Sequence, residues 1–261
     1  METRTSQQPA TPWLAHVQPN PSAELRLFCF PYAGGAAAIY QRWGDRMLKT
    51  IEVCPIELPG RGRRFHEVFY TRITSLAADI IGGLQPYFDK PFAFLGHSMG
   101  ALLSFEVARQ LRRRSLPGPK HLFVSGRGTP QLPEKEPPKH NLPDAEFMEE
   151  LRRLNGTPKE ILEHEELMKY MIPLIRADFA LCETYAFTSE PPFDFPITAF
   201  GGLRDVEVTR ERLEGWSEQT SGKFRLRMFP GDHFFIHTSD TLLLQTLNQE
   251  LHSLMRSTSR G

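Results

Sequence analysis

The chain has 261 residues, with 31 Lys and Arg balancing 31 Asp and Glu to a net charge of zero. That length suits one α/β domain carrying an insertion, and it can bury a substantial core without disulfide or metal staples. Charge balance removes any bulk pull toward nucleic acid or an anionic membrane, and Cys29, Cys54 and Cys182 are too few and too uneven for a disulfide framework.

The first stretch, "METRTSQQPATPWLAHVQPNPSAE", is polar and proline-punctuated with no apolar signal region, so residues 1–24 are expected to form a flexible N-terminal arm. No run approaches the roughly eighteen apolar residues of a membrane span. The expectation is a cytoplasmic, monomeric globule with reduced thiols.

Beyond the arm, short apolar segments alternate with helical patterns. "LRLFCF" (25–30), "EVCPIEL" (52–58), "PFAFLG" (91–96), "HLFVSG" (121–126) and "ITAFGG" (197–202) read as strands. Their continuous apolar character suits a parallel sheet covered on both faces. Helices are expected over 73–84, from Met99 to Leu111, and at the end, where Leu244, Leu247, Leu251 and Leu254 share one face. Such alternation predicts a mostly parallel, doubly wound α/β sheet.

From Gly128 to about Pro192 the rhythm stops. A proline- and charge-rich stretch, "TPQLPEKEPPKHNLPD", precedes helical patterns near 144–154, 158–164 and 166–182, with Pro173 expected to kink or split the last. This segment reads either as an extra pair of packing helices or as a lid over an apolar substrate chamber. The division expected is a core of 25–128 and 193–257 with a helical lid insertion at 129–192.

"FLGHSMG" (94–100) places Ser98 between a strand and a helix with glycines on either side. Gly-x-Ser-x-Gly is a modest signal alone, but a strand before it and a helix after it are the context of a nucleophile elbow. Glycines permit the sharp turn, and the helix N-terminus aims amide N–H groups at a developing oxyanion. A serine hydroxyl also needs a base and an orienting acid. Of nine histidines, His16, His66 and His97 precede the serine, His121 opens a strand, His140 and His164 fall in the irregular segment, and His252 lies in the last helix. His233, just past the strand-like "KFRLRMF" and a Pro-Gly turn, is the candidate base. His237 reads as a packing or capping residue. The two form an H-x-x-x-H pattern without further ligands, so no metal is expected.

Asp205, past "ITAFGG" and ahead of a helix starting near Thr209, is the candidate acid, preferred to Asp232, which adjoins His233 too closely to reach its far ring nitrogen. The backbone N–H of Met99 and that of Ala33 or Tyr32, in the small-residue turn "FPYAGGAAA", are the candidate oxyanion donors.

Four motifs in order, "FCFPYAGGAAAIYQRW", "IELPGRGRRF", "PFAFLGHSMGALLSFEVARQL" and "FPGDHFFI", resemble the type II thioesterases that accompany polyketide and nonribosomal peptide synthetases, and the related medium-chain acyl-ACP thioesterase of fatty acid synthesis. The resemblance runs from about Leu25 to Leu254. It implies an α/β-hydrolase fold, a triad of Ser98, Asp205 and His233, no cofactor, and hydrolysis of acyl groups held on the phosphopantetheine arm of acyl or peptidyl carrier domains. A carboxylesterase or lipase on free esters, or a non-catalytic receptor on the same scaffold, are the competing readings. Two basic runs remain. Arg61–Arg64 is a candidate contact for carrier or phosphopantetheine, and "RQLRRR" (109–114) reads as a solvated helix end.

Overall fold

A computed structural model describes residues 11–132, 137–154, 156 and 159–258. Its centre is a six-stranded sheet of β1 (Leu25–Phe30), β2 (Ile51–Pro55), β3 (Phe92–His97), β4 (Leu122–Ser125), β5 (Ile197–Gly202) and β6 (Phe224–Phe229). The order is β2-β1-β3-β4-β5-β6 and every pairing is parallel.

Parallel strands need crossover connections, and these cover both faces. Phe28, Phe92, Phe94, Leu122 and Val124 turn to one side, against α1 (Ile73–Leu84) and α2 (Met99–Arg113). Leu27, Cys29, Ala93, Leu95 and Phe123 turn to the other, against the leucines of α8 (Asp240–Thr258) and the Tyr40–Trp43 turn. This two-sided cover explains why β1, β3 and β5 are buried along their whole length rather than alternately. Helix α2 is buried nearly all round, because it lies between the sheet and α1.

Three helices stand between β4 and β5: α3 (Asp144–Leu154), α4 (Lys159–Leu162) and α5 (Glu165–Glu183). A separate apolar cluster of Phe147, Leu151, Leu162, Met168 and Ile175 joins them. Pro173 does not split α5. It sits on the exposed side, where water can satisfy the carbonyl one turn earlier that loses its donor. Two short helices, α6 (Arg210–Glu214) and α7 (Phe235–Thr238), follow β5 and β6.

Two expectations need correction. Residues 11–24 are not a loose arm: Trp13, Leu14, Ala15 and Ala23 are buried, Leu14 bridges Ile56, and the Arg64 guanidinium lies 3.9 Å over the Trp13 ring. Polar, proline-rich composition concealed two large apolar side chains. Residues 1–10 of that arm, and 133–136 of the proline-rich stretch, lie outside the described residues. The second strand also ends at Pro55 rather than Leu58, because Ile56 turns to meet Leu14.

Candidate active site

Where the chain leaves β1 for one edge of the sheet and later crosses back to β3, the loops after these two strands diverge and open a crevice at their carboxyl ends. Ser98 is the single residue between β3 and α2. Its φ of 51° and ψ of −114° are unfavourable for any side-chain-bearing residue, a strain of order 1–3 kcal/mol. Packing sustains it. A Cβ on Gly96 would overlap the Gly100 carbonyl, and one on Gly100 would overlap the Phe30 carbonyl. The two glycines therefore let α2 start directly against the sheet. The Ser98 N–H donates to the Ser125 carbonyl at 2.7 Å, carrying the β3–β4 pairing through the bend.

Asp205 and His233 come from the loops after β5 and β6. Those loops stay joined beyond the strands: Leu203 N–H donates to Phe229 O and Arg204 N–H to Gly231 O, each at 2.8 Å. Gly202 lies against the Asp232 carbonyl with no room for a Cβ. The Asp205 carboxylate is fully buried. Its Oδ1 accepts the N–H groups of Glu207 (2.9 Å) and Val208 (3.1 Å), leaving Oδ2 aimed at His233 Nδ1, 2.8 Å away. With Nδ1 engaged, Nε2 is the nitrogen left to act at the cavity. Asp232 is spent otherwise, accepting the Phe234 N–H.

A cavity of about 380 Å³ is lined by Ser98, His233, Met99, Ala33 and Tyr32. Five of the six expected site residues thus share one chamber, and Asp205 stands behind the histidine. The opposite wall comes from α3 and α5 through Leu151, Leu154, Ile175 and Phe179. Nothing local in "LRRL" or "IRADFALC" marked these as lining, since they face the site only after the helices fold over it.

Four other histidines take structural positions. His97 is wholly buried, with Nδ1 2.8 Å from Ser125 Oγ and its ring 5.3 Å from that of His233. Burial pushes its pKa well below the usual imidazole range, so it stays neutral beside the candidate base. His237 Nε2 lies 2.9 Å from the Tyr32 hydroxyl and ties α7 to the turn after β1. His121 pairs with Thr198 Oγ1 and stacks on Phe123, and His164 caps α5.

Both basic runs differ from expectation. Arg61 is buried and bidentate to Asp178 of α5, at 2.7 and 2.9 Å. Arg64 is buried between Trp13, the Glu57 carbonyl and Glu67. Of that run only Arg63 is open to a partner. In the second run Arg109 is buried, and Arg109, Arg112 and Arg113 all meet Glu190, pinning the segment after α5 onto α2. A cluster of arginines in sequence does not show where distant carboxylates will fold to meet it.

The thioesterase domain model matches residues 25–251. Among curated proteins, the chain is 46% identical to the gramicidin S biosynthesis protein GrsT of Aneurinibacillus migulanus, over 93% of this chain and 95% of that one. It is 35% identical to the medium-chain S-acyl fatty acid synthase thioesterase of Rattus norvegicus, over 85% of each. Among solved structures, the RedJ thioesterase from the prodiginine pathway of Streptomyces coelicolor superposes with a TM-score of 0.83 at 39% identity, covering 89% of this chain and 87% of that one. The fold is that of the α/β-hydrolases, and the chain belongs to the thioesterase family. It is a hydrolase of acyl thioesters, of the type II kind. Among the described residues, no helix is long and apolar enough to cross a membrane.

Proposed function

We propose that this enzyme hydrolyses acyl groups carried as thioesters on the phosphopantetheine arm of acyl or peptidyl carrier domains, through Ser98, His233 and Asp205. The observation that carries the reading is the Asp205–His233 hydrogen bond at the wall of the same chamber onto which the strained Ser98 opens. His233 Nε2 takes the Ser98 proton as Oγ bonds to the thioester carbonyl carbon. The oxyanion is received by the N–H of Met99 and that of Ala33, with Tyr32 the alternative donor. The C–S bond then breaks, and the thiol leaves with the proton from His233. Its pKa of about 8.5 makes it a good leaving group. Water, deprotonated by His233, attacks the acyl-enzyme, and collapse returns Ser98 and a free acid. Asp205 holds the imidazole tautomer throughout.

The segment 129–192 acts as a lid: its helices α3 and α5 supply the apolar wall facing Ser98. One chain carries the whole site, so a monomer suffices. Cys29 and Cys54 are buried free thiols, which suits a cytoplasmic enzyme working beside its synthetase to clear mis-loaded units or release acids.

The test is mass spectrometry of a carrier domain loaded with different acyl groups, before and after adding enzyme. Carrier-bound thioesters should be cleaved faster than the matching acyl-CoA or ethyl ester, and Ser98→Ala should lower kcat by about 10⁴-fold or more. Equal rates on the free ester would defeat the carrier reading. Retained turnover in Ser98→Ala would defeat the triad.

A further inference from the structure

The turn after β1 is held from a distance. Tyr32 to Gly35 form a tight turn closed by Gly35 N–H donating to Tyr32 O at 2.9 Å, with Gly34 at φ +75° in its third position. This hydrogen bond does not use the Ala33 N–H. Of the three peptide groups that follow, the first and third are gripped by one ion pair, and the one between is held by the turn's own hydrogen bond. Gly34 N–H donates to Asp178 Oδ2 at 2.7 Å, and Arg61 Nη1 donates to Gly35 O at 2.9 Å. Arg61 and Asp178 are in turn bound to each other twice, and both side chains are more than nine-tenths buried. One turn of helix before Asp178, Ile175 packs where a Cβ on Gly34 would lie, 3.2 Å away. On its other side the turn is anchored by Tyr32, whose hydroxyl meets His237.

From this we infer that Asp178 and Arg61 are a positioning pair, which sets the Ala33 N–H for the oxyanion and makes its geometry depend on the seating of α5. The inference rests on the reading of Ala33 as an oxyanion donor. Neither residue touches the substrate; both act through the turn. A buried ion pair is weak evidence for stability, since apolar side chains of similar volume often replace one without loss. What such a pair does supply is direction. It fixes two peptide planes at angles that an apolar contact would leave soft, and a donor displaced by a fraction of an ångström stabilises the transition state less. The cover helix and the floor of the site thus share one set of hydrogen bonds. When α5 lifts, Gly34 loses its acceptor and the donor its alignment.

Three variants separate positioning from mere structure: Asp178→Asn, Arg61→Lys, and the double replacement Arg61→Met with Asp178→Leu, which leaves no lone buried charge. Each is assayed on a soluble acyl thioester and titrated with an alkyl trifluoromethyl ketone, whose serine adduct carries the oxyanion. Folding is checked by circular dichroism. The expected result is a fall in kcat of about 10- to 100-fold with KM within threefold, and weaker ketone binding by the same factor as kcat/KM. That is less than the 10²–10³ that losing a donor outright costs. A folded double variant with kcat within twofold of the parent overturns the inference, and so does slow turnover with undiminished ketone affinity. Should the variants not fold, the parent enzyme decides. Ketone binding must slow hydrogen exchange in the turn and in α5, by reciprocity of coupled sites, and unchanged exchange overturns the inference. Ser98→Ala, run alongside, isolates the reading beneath: if it still turns over, the triad fails, whereas an inert Ser98→Ala beside fully active pair variants sinks the pair alone.

Discussion

Beneath the cavity, Gly96, Gly100 and Gly202 press backbone against backbone, while above it α3 and α5 meet the floor through side chains such as Ile175 and Asp178. The floor is the centre of a parallel sheet, built from pairings that tolerate no added atom. The cover has its own small apolar cluster, distinct from the two that sandwich the sheet. Side-chain contacts can break and re-form one by one, whereas interlocked main chains move together or not at all. A close-packed floor keeps Ser98 strained and His233 oriented, and the cover packs around a cluster of its own.

The sharpest way to break this contrast is Gly100→Ala. The new Cβ would overlap the Phe30 carbonyl, so α2 must move off the sheet and Ser98 with it. Thermal unfolding and turnover together should show loss of the folded state, or more than 100-fold loss of activity; a stable and active variant would mean that the floor yields. Next in size is Phe147→Ala, which empties the centre of the cover cluster. Truncating a buried Phe typically costs about 3–5 kcal/mol. Here hydrogen exchange should quicken across 144–183 while β1 and β3 remain protected, whereas uniform quickening would show cover and floor to be one cooperative unit.

Acid should act on the floor. Burial lowers His121 to about 3, with nearby Arg225 adding to the effect, and lowers His97 well below its usual range. The unfolded chain protonates both near pH 6.5 and the folded chain does not. Stability is therefore fully present above 6.5 and declines as pH falls toward the folded values. Between pH 7 and 5 His121 should contribute a loss of about 2 kcal/mol, with His97 adding to it in the same direction. Urea titrations at both pH values check this, and His121→Gln should remove the His121 share of the slope, about 2 kcal/mol between the two. The smallest effect belongs to the outer surface of the cover. Lys169→Ala deletes an exposed pair with Glu166 on α5 and should change stability by no more than about 0.5 kcal/mol, read by the same titration.

The elements of the floor were legible in advance because their signals are local. An apolar run of six residues, two glycines around a serine and a Pro-Gly turn before a histidine each act within one turn of chain, and β1, β5 and α1 fall where the pattern puts them. Trp13 and Leu14 were not legible, because polar neighbours and prolines outweigh two apolar side chains in any short window. The fate of Arg61 was hidden for a different reason. Its partner is 117 residues away, and the one available hint was a carboxylate standing alone in the apolar stretch "IRADFALC". A charge flanked by apolar residues on a buried helix needs a counter-ion, but composition does not name which one.

What the sequence by itself determined was the α/β alternation, the sharp turn of a serine set between glycines, and the chain order of the candidate serine, acid and histidine. All depend on dihedral preferences and hydrophobic periods of a few residues. Only the tertiary structure decided that Asp205 spends one oxygen on backbone and turns the other to His233, that α3 and α5 roof the chamber, and that Arg61 serves the turn after β1 rather than a partner. Those outcomes depend on which distant groups meet once water is excluded, and a buried charge or carbonyl takes whichever partner the packing brings within hydrogen-bond distance.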